Sequence, residues 1–171
     1  LKVTWFSQDA FRVQLGGKIL VLYPDHAVGV QRRDLLSGAD MVVSGTEGLD
    51  RIDLVDWRPG RRSPTVEGND IGTVAAYTTD AGILLTASGE PPLLLLREVP
   101  NRLGRWVNDA VVVPLGPDPQ RAVEAILKSL SPALLLVREA DATALDLEWV
   151  AKALDGTLFQ VLDVGMGIEF A

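Results

Sequence analysis

The sequence contains no cysteine and a single histidine, His26. Without cysteine there is no disulfide and no thiolate to hold a metal. One imidazole cannot supply a three-histidine zinc site, the kind that fixes the ion and acidifies its bound water. Positive charge is also short: 16 Lys and Arg face 23 Asp and Glu, a net charge of −7. That balance disfavours a general nucleic-acid or anionic-membrane binder, although a local basic patch remains compatible with it. No apolar run reaches the roughly 18 residues that a membrane-spanning helix needs. No leader-like segment opens the sequence, so the cytoplasm is the expected location.

What is present reads as one globular domain. The 171 residues are long enough to bury a core, 47% of them are hydrophobic, and the mean hydropathy is +0.20. There is no internal repeat, low-complexity tract or linker.

The amino-terminal quarter alternates as strands do. Val3 and Trp5 interleave with Lys2 and Thr4; Phe11, Val13 and Leu15 interleave with Arg12 and Gln14. Gly16-Gly17 is a two-residue hairpin turn, because glycine takes positive φ without steric cost. A strand Lys18–Tyr23, a short helix 28–37 stopped by Gly38, and a strand Met41–Val43 follow. The segment 52–57 alternates imperfectly and reads as a strand. Gly68-Asn69-Asp70 is turn chemistry, and strands 71–78 and 82–86 form a hairpin. Leu93–Leu96 is a strand or the start of a buried helix. A core strand at 108–115 is followed by an amphipathic helix at 118–130 with Pro119 in its first turn. A buried strand at 133–137, a second amphipathic helix at 145–154 and strands at 158–162 and 168–170 complete the order. Trp5, Trp57, Trp106 and Trp149 read as core or subunit-contact aromatics.

The most distinctive stretch is residues 38–50, GADMVVSGTEGLD, in which an apolar strand breaks into a Gly-rich polar loop. Such breaks mark the carboxyl end of a buried strand, where ligands commonly sit in α/β proteins. The stretch resembles the signature strand and loop of the metallo-β-lactamase superfamily, a hydrophobic strand running into Thr-His-x-His-x-Asp-His. Here Ser44 takes the Thr place, Gly45 and Glu47 stand for the first two histidines, and Leu49-Asp50 stand for Asp-His. The opening strands are similar to the lactonase-like branch of that superfamily: Ser7-Gln8-Asp9 occupies its Gly-His-Ser turn and Tyr23-Pro24 its Asp-Pro strand end. The resemblance implies a shortened αββα sandwich, two mixed β-sheets face to face with helices outside.

The same resemblance places Glu47, Asp50, Glu90 and Glu139 at or beside former ligand positions. Four carboxylates at one rim would suit a hard cation such as Mg²⁺ or Mn²⁺ rather than zinc. The plainer reading is a set of solvated acids partly neutralised by Arg58, Arg61, Arg62 and Arg138. Arg58, Arg61 and Arg62 also form a candidate grip for a phosphate or carboxylate. His26 is the one imidazole able to act as a general base, and Ser44 and Ser88 are the candidate hydroxyl nucleophiles beside it. Three functions follow as expectations: a non-catalytic binding or assembly protein without a cofactor, a hydrolase with a carboxylate-held metal, or a structural homo-oligomer.

Overall fold

The computed structural model describes residues 1–59 and 73–171. Two mixed sheets stack face to face. The first contains β1 (Lys2–Ser7), β2 (Ala10–Leu15), β3 (Lys18–Leu22), β4 (Met41–Val43) and, from the far end of the chain, β12 (Gly167–Glu169), in the order β12-β1-β2-β3-β4. Only β3 and β4 run parallel in it. The second contains β5 (Asp50–Arg51), β6 (Val74–Thr78), β7 (Gly82–Ala87), β8 (Leu93–Leu96), β9 (Val111–Pro114), β10 (Leu134–Arg138) and β11 (Leu158–Leu162), ordered β11-β10-β9-β8-β7-β6-β5. In it β8 to β11 are parallel and β7 is antiparallel to β8.

Alternation places the side chains. Phe11, Val13, Leu15, Leu20 and Leu22 of the first sheet meet Ile83, Leu85, Leu93, Leu95, Val111, Val113, Leu134 and Leu136 of the second in one core. The intervening residues, Leu84, Leu94, Leu96, Val112, Leu135 and Val137, point the other way into a second core. That core is closed by α2 (Pro119–Leu127) through Val123 and Ile126, and by α4 (Leu147–Ala153) through Val150. Burial on both faces explains why β8 and β10 read as unbroken apolar runs. Each fully buried side chain of this size stabilises by about 1.5–3 kcal/mol relative to exposure.

Local chemistry sets the element ends. Asp118 caps α2 by accepting from the Arg121 N–H (3.0 Å), and Asp146 caps α4 by accepting from the Trp149 N–H (3.0 Å). Gly16 and Gly17 both hold positive φ, as the hairpin turn requires. On the outer face of the first sheet, Arg12 donates to the Leu35 and Ser37 carbonyls and so ties down α1 (Arg32–Leu36).

The observed architecture is thus an α/β sandwich with two mixed sheets. Some elements differ from expectation. The helix expected over 28–37 spans only Arg32–Leu36. The strand expected over 52–57 is absent: Asp53 Oδ1 accepts from the Val55 and Asp56 N–H groups, a local turn that competes with a ladder. Only Asp50–Arg51 pairs as a strand there. The segment Asn108–Ala110 precedes β9 instead of belonging to it, because a 3₁₀ turn runs from Arg105 to Asp109. The expected turn Gly68-Asn69-Asp70 lies outside the described residues. Trp5 and Trp106 are buried, and Trp57 meets Trp106 edge to face at 4.6 Å, which places the tryptophans chiefly in packing.

Candidate functional site

The parallel strands β8, β9 and β10 all deliver their carboxyl ends to one edge of the sandwich. Beyond the apolar runs stand Arg97 after β8, Leu115 after β9, and Arg138 at the tip of β10. The first sheet brings the β1–β2 turn, Gln8-Asp9, and the end of β3, Tyr23, to the same edge. The cluster formed there is the most connected polar group among the described residues.

Arg138 is its centre and is buried. Its Nη1 donates to the Gln8 carbonyl (2.6 Å) and to Asp9 Oδ1 (3.0 Å). Nη2 donates to the Leu115 carbonyl (3.2 Å), and Nε to Asp141 Oδ2 (2.5 Å). Asp141 comes from α3 (Glu139–Ala142), a single turn that follows β10 directly. Arg97 Nη2 donates to the other Asp9 oxygen at 2.7 Å. The Arg97 guanidinium also lies 3.9 Å above the Tyr23 ring, close enough for a cation–π contact. His26, in a 3₁₀ turn at Pro24–His26, stacks on Tyr23 at 5.5 Å, with Nδ1 3.7 Å from Asp9 Oδ2. Two arginines therefore face two aspartates, and both Asp9 oxygens are engaged by guanidinium groups.

The backbone is strained at the same edge. Gln8 and Tyr23 are non-glycine residues with φ of 43° and 48°. Such conformations persist where surrounding contacts over-determine them. The Gln8 carbonyl accepts from both Arg138 and Trp5 Nε1 (2.9 Å), and the Tyr23 N–H donates to the Val43 carbonyl (2.7 Å). Burial pushes the Tyr23 phenol above its usual pKa of 10.0, with Arg97 opposing and Asp9 reinforcing that shift. Among the described residues, the Tyr23 hydroxyl and Arg97 Nε are buried without a hydrogen-bond partner.

The four acids Glu47, Asp50, Glu90 and Glu139 do not converge. Among the described residues, no group of three or more His, Cys, Asp or Glu side chains is placed to hold a metal ion. Glu47 is exposed in a loop that lines a cleft of about 610 Å³ with Ser44, Gly45, Thr46 and Leu49. Asp50 is exposed on β5, and Glu139 is exposed at the start of α3. Glu90 sits at the opposite end of the sandwich: its Oε1 accepts from the Gly16 N–H (2.8 Å) in the β2–β3 turn, and its Oε2 lies 2.8 Å from the Leu1 nitrogen. The physical reason is strand direction. Because β7 opposes β8, its carboxyl end points away from Arg138. The residues that reach the polar edge are those following β8, Arg97-Glu98.

Of the three arginines of the expected anion grip, Arg61 and Arg62 lie outside the described residues. Arg58 is exposed, and its Nη1 donates to the Val55 and Trp57 carbonyls (2.8 Å each), so its fork is partly committed to its own loop. Ser88 follows β7 at the Glu90 end of the sandwich, out of reach of His26. Ser44 is exposed just beyond β4.

Sequence patterns alone do not single out Asp9, Tyr23, Arg97 and Asp141 as site residues. The one available signal is a charge placed directly after an unbroken apolar run, as Arg97 follows Leu93–Leu96 and Arg138 follows Leu134–Val137. No protein-family model, curated protein or solved structure matches the chain significantly. Among the described residues no helix is long and apolar enough to cross a membrane.

Proposed function

We propose that this chain is a shortened metallo-β-lactamase-like sandwich in which the ligand edge has become an internal ion-pair cluster, and that it works by binding or assembly without metal-dependent hydrolysis. The observation that carries this reading is the double engagement of Asp9 by Arg97 and Arg138. Asp9 stands in the turn that the resemblance aligns with Gly-His-Ser, and Arg138 ends the strand that in the superfamily runs into a metal-binding histidine.

The donor set does not suit the zinc ion that such a fold implies. The zinc site that the resemblance implies is built on imidazole nitrogens, and this chain has one histidine and no cysteine to replace them. A cation arriving beside Asp9 would meet two guanidinium groups already within hydrogen-bond distance of the same carboxylate, an electrostatic environment opposed to a further positive charge. Both Asp9 oxygens are already hydrogen-bonded to guanidinium groups. The arrangement stabilises a fixed geometry of the turn, strand ends and α3, which is what a binding scaffold requires.

A hydrolase assay tests the reading. Ester, lactone and phosphodiester substrates offered with Zn²⁺, Mn²⁺ or Mg²⁺ should show no turnover above the metal blank. Turnover that disappears in Asp9→Ala while the fold persists by circular dichroism would overturn it.

A further inference from the structure

Among the described residues strand β11 is an edge strand, paired with β10 alone in its sheet. Its sequence, Leu158-Phe159-Gln160-Val161-Leu162, carries no charge and no proline in a chain whose net charge is −7. It follows β10 in even register, Leu134 to Arg138 against Leu158 to Leu162, with no bulge. Charges, prolines and bulges are the usual devices that stop edge strands from pairing with other chains, and β11 has none of them. The apolar surface around it is large. Leu158 is 57% exposed, Val161 37%, Val164 54% and Met166 62%, four of the exposed large hydrophobics within nine residues.

The ladder geometry specifies which backbone groups face outward. The Leu158 N–H donates to the Ala133 carbonyl of the neighbouring strand segment (3.3 Å). In a parallel ladder alternate residues address the same neighbour, so Gln160 and Leu162 also turn toward β10. Phe159 and Val161 then direct their N–H and C=O groups away from the sheet.

We infer that β11 pairs antiparallel with β11 of a second copy of this chain, about a two-fold axis through Gln160. Three two-fold registers keep outward groups opposite outward groups within this strand. An axis at Phe159 would set Leu158 opposite Gln160 and Val161 opposite Thr157, apolar against polar. An axis at Val161 would set Asp163 opposite Phe159. The axis at Gln160 sets Leu158 opposite Leu162, Phe159 opposite Val161, and Asp163 opposite Thr157. It alone matches apolar with apolar along the strand. Phe159 and Val161 would exchange both of their backbone hydrogen bonds with Val161 and Phe159 of the other copy. Gln160 would face its own counterpart in a narrow pair with Cα atoms about 4.5 Å apart. The two seven-stranded sheets become continuous, and Val164 and Met166 extend the contact beyond the ladder. What favours a second copy over an unrelated peptide is this self-match of the strand about Gln160, apolar against apolar along an uncharged seam. The seam lies on its own strand and stands independently of the Asp9–Arg138 cluster.

Cysteine cross-linking tests it, helped by the absence of native cysteine. Disulfides need Cα atoms within about 4.4–6.8 Å, which the Gln160 pair meets. Leu158 and its own counterpart would lie four residues apart along the ladder, roughly 13 Å at about 3.3 Å per residue, beyond bridging. Gln160→Cys should therefore oxidise to a covalent dimer under mild oxidant, and Leu158→Cys should remain a monomer on a denaturing gel. Val161→Lys should turn the dimer of the unmodified chain into a monomer on light scattering without altering its circular dichroism. A wild-type chain that stays monomeric at the highest concentration reached, equal cross-linking of the two cysteine variants, or a dimer untouched by Val161→Lys would each overturn the proposal.

Discussion

Asp9 and Arg138 stand 129 positions apart in the sequence and meet at 3.0 Å, joining the first turn of one sheet to a buried strand of the other. The contact closes the edge of the sandwich toward which β8, β9 and β10 all point. Arg97 binds the second Asp9 oxygen, and Asp141 binds the remaining side of Arg138. The edge is thereby locked by charge in a region where burial makes each pairing consequential.

Breaking this lock should cost more than breaking any pair at the surface. Removing one partner of a buried ion pair costs about 3–5 kcal/mol, because the other charge is left uncompensated. Arg138→Met is expected to fall in that range by urea denaturation. In double-mutant cycles with Asp9→Asn, the coupling of Asp9 to Arg138 should exceed its coupling to Arg97, whose side chain is 38% exposed against 10% for Arg138. The exposed Lys152–Glu148 pair should couple by less than about 1 kcal/mol.

Gln8 acts through its backbone, so its side chain is dispensable while its conformation is not. Its φ of 43° suits glycine and strains a β-branched residue. Gln8→Gly should leave stability within about 1 kcal/mol of the parent, and Gln8→Val should cost about 1–3 kcal/mol. Thermal and chemical denaturation of the two variants would check the contrast.

Tyr23 should weaken the fold in alkali. Its phenol is raised above 10.0 in the folded protein by burial, so the folded state holds this proton after the unfolded chain has begun to release it. The contribution is complete below the unfolded pKa and is lost as pH rises through the folded value. Stability measured from about pH 9 upward should therefore decline, and part of that decline should vanish in Tyr23→Phe. The phenolate absorbance of Tyr23 should appear only beyond the ordinary range for tyrosine.

Two glycines should behave oppositely. A Cβ on Gly82 would come within 1.8 Å of the Leu95 carbonyl oxygen, in the ladder between β7 and β8. Gly82→Ala should destabilise by about 3 kcal/mol or more, since backbone atoms of two strands must separate. A Cβ on Gly45 would meet nothing within 4 Å, and its φ is not positive. Gly45→Ala should change stability by less than about 0.5 kcal/mol, although the residue stands in the most distinctive loop of the sequence.

Much of the sandwich is legible in the sequence because its signals are local. Alternation in residues 2–23 yields β1 to β3, and the apolar spacing after Pro119 yields α2. Leu93–Leu96 is ambiguous by periodicity, and the structure resolves it as a strand buried on both faces. The strand expected at 52–57 fails because Asp53 satisfies two nearby N–H groups with its own carboxylate. The candidate site is harder to read because its determinants are non-local. Nothing near Glu90 announces that β7 runs against β8, and that one reversal carries its carboxylate to the far end of the molecule. Nor does any local pattern pair Arg97 with Asp9, 88 positions away. The charges that follow β8 and β10 are visible in the sequence; their common partner is not.

If the Asp9–Arg97–Arg138 cluster has taken the place of a metal site, metal content is the most direct measure of it. Protein purified without chelator, dialysed and analysed by plasma emission should carry no stoichiometric zinc, manganese or magnesium, and its melting temperature should be the same with each ion added as with chelator. One ion retained per chain, lost together with thermal stability on Asp9→Ala, would contradict it.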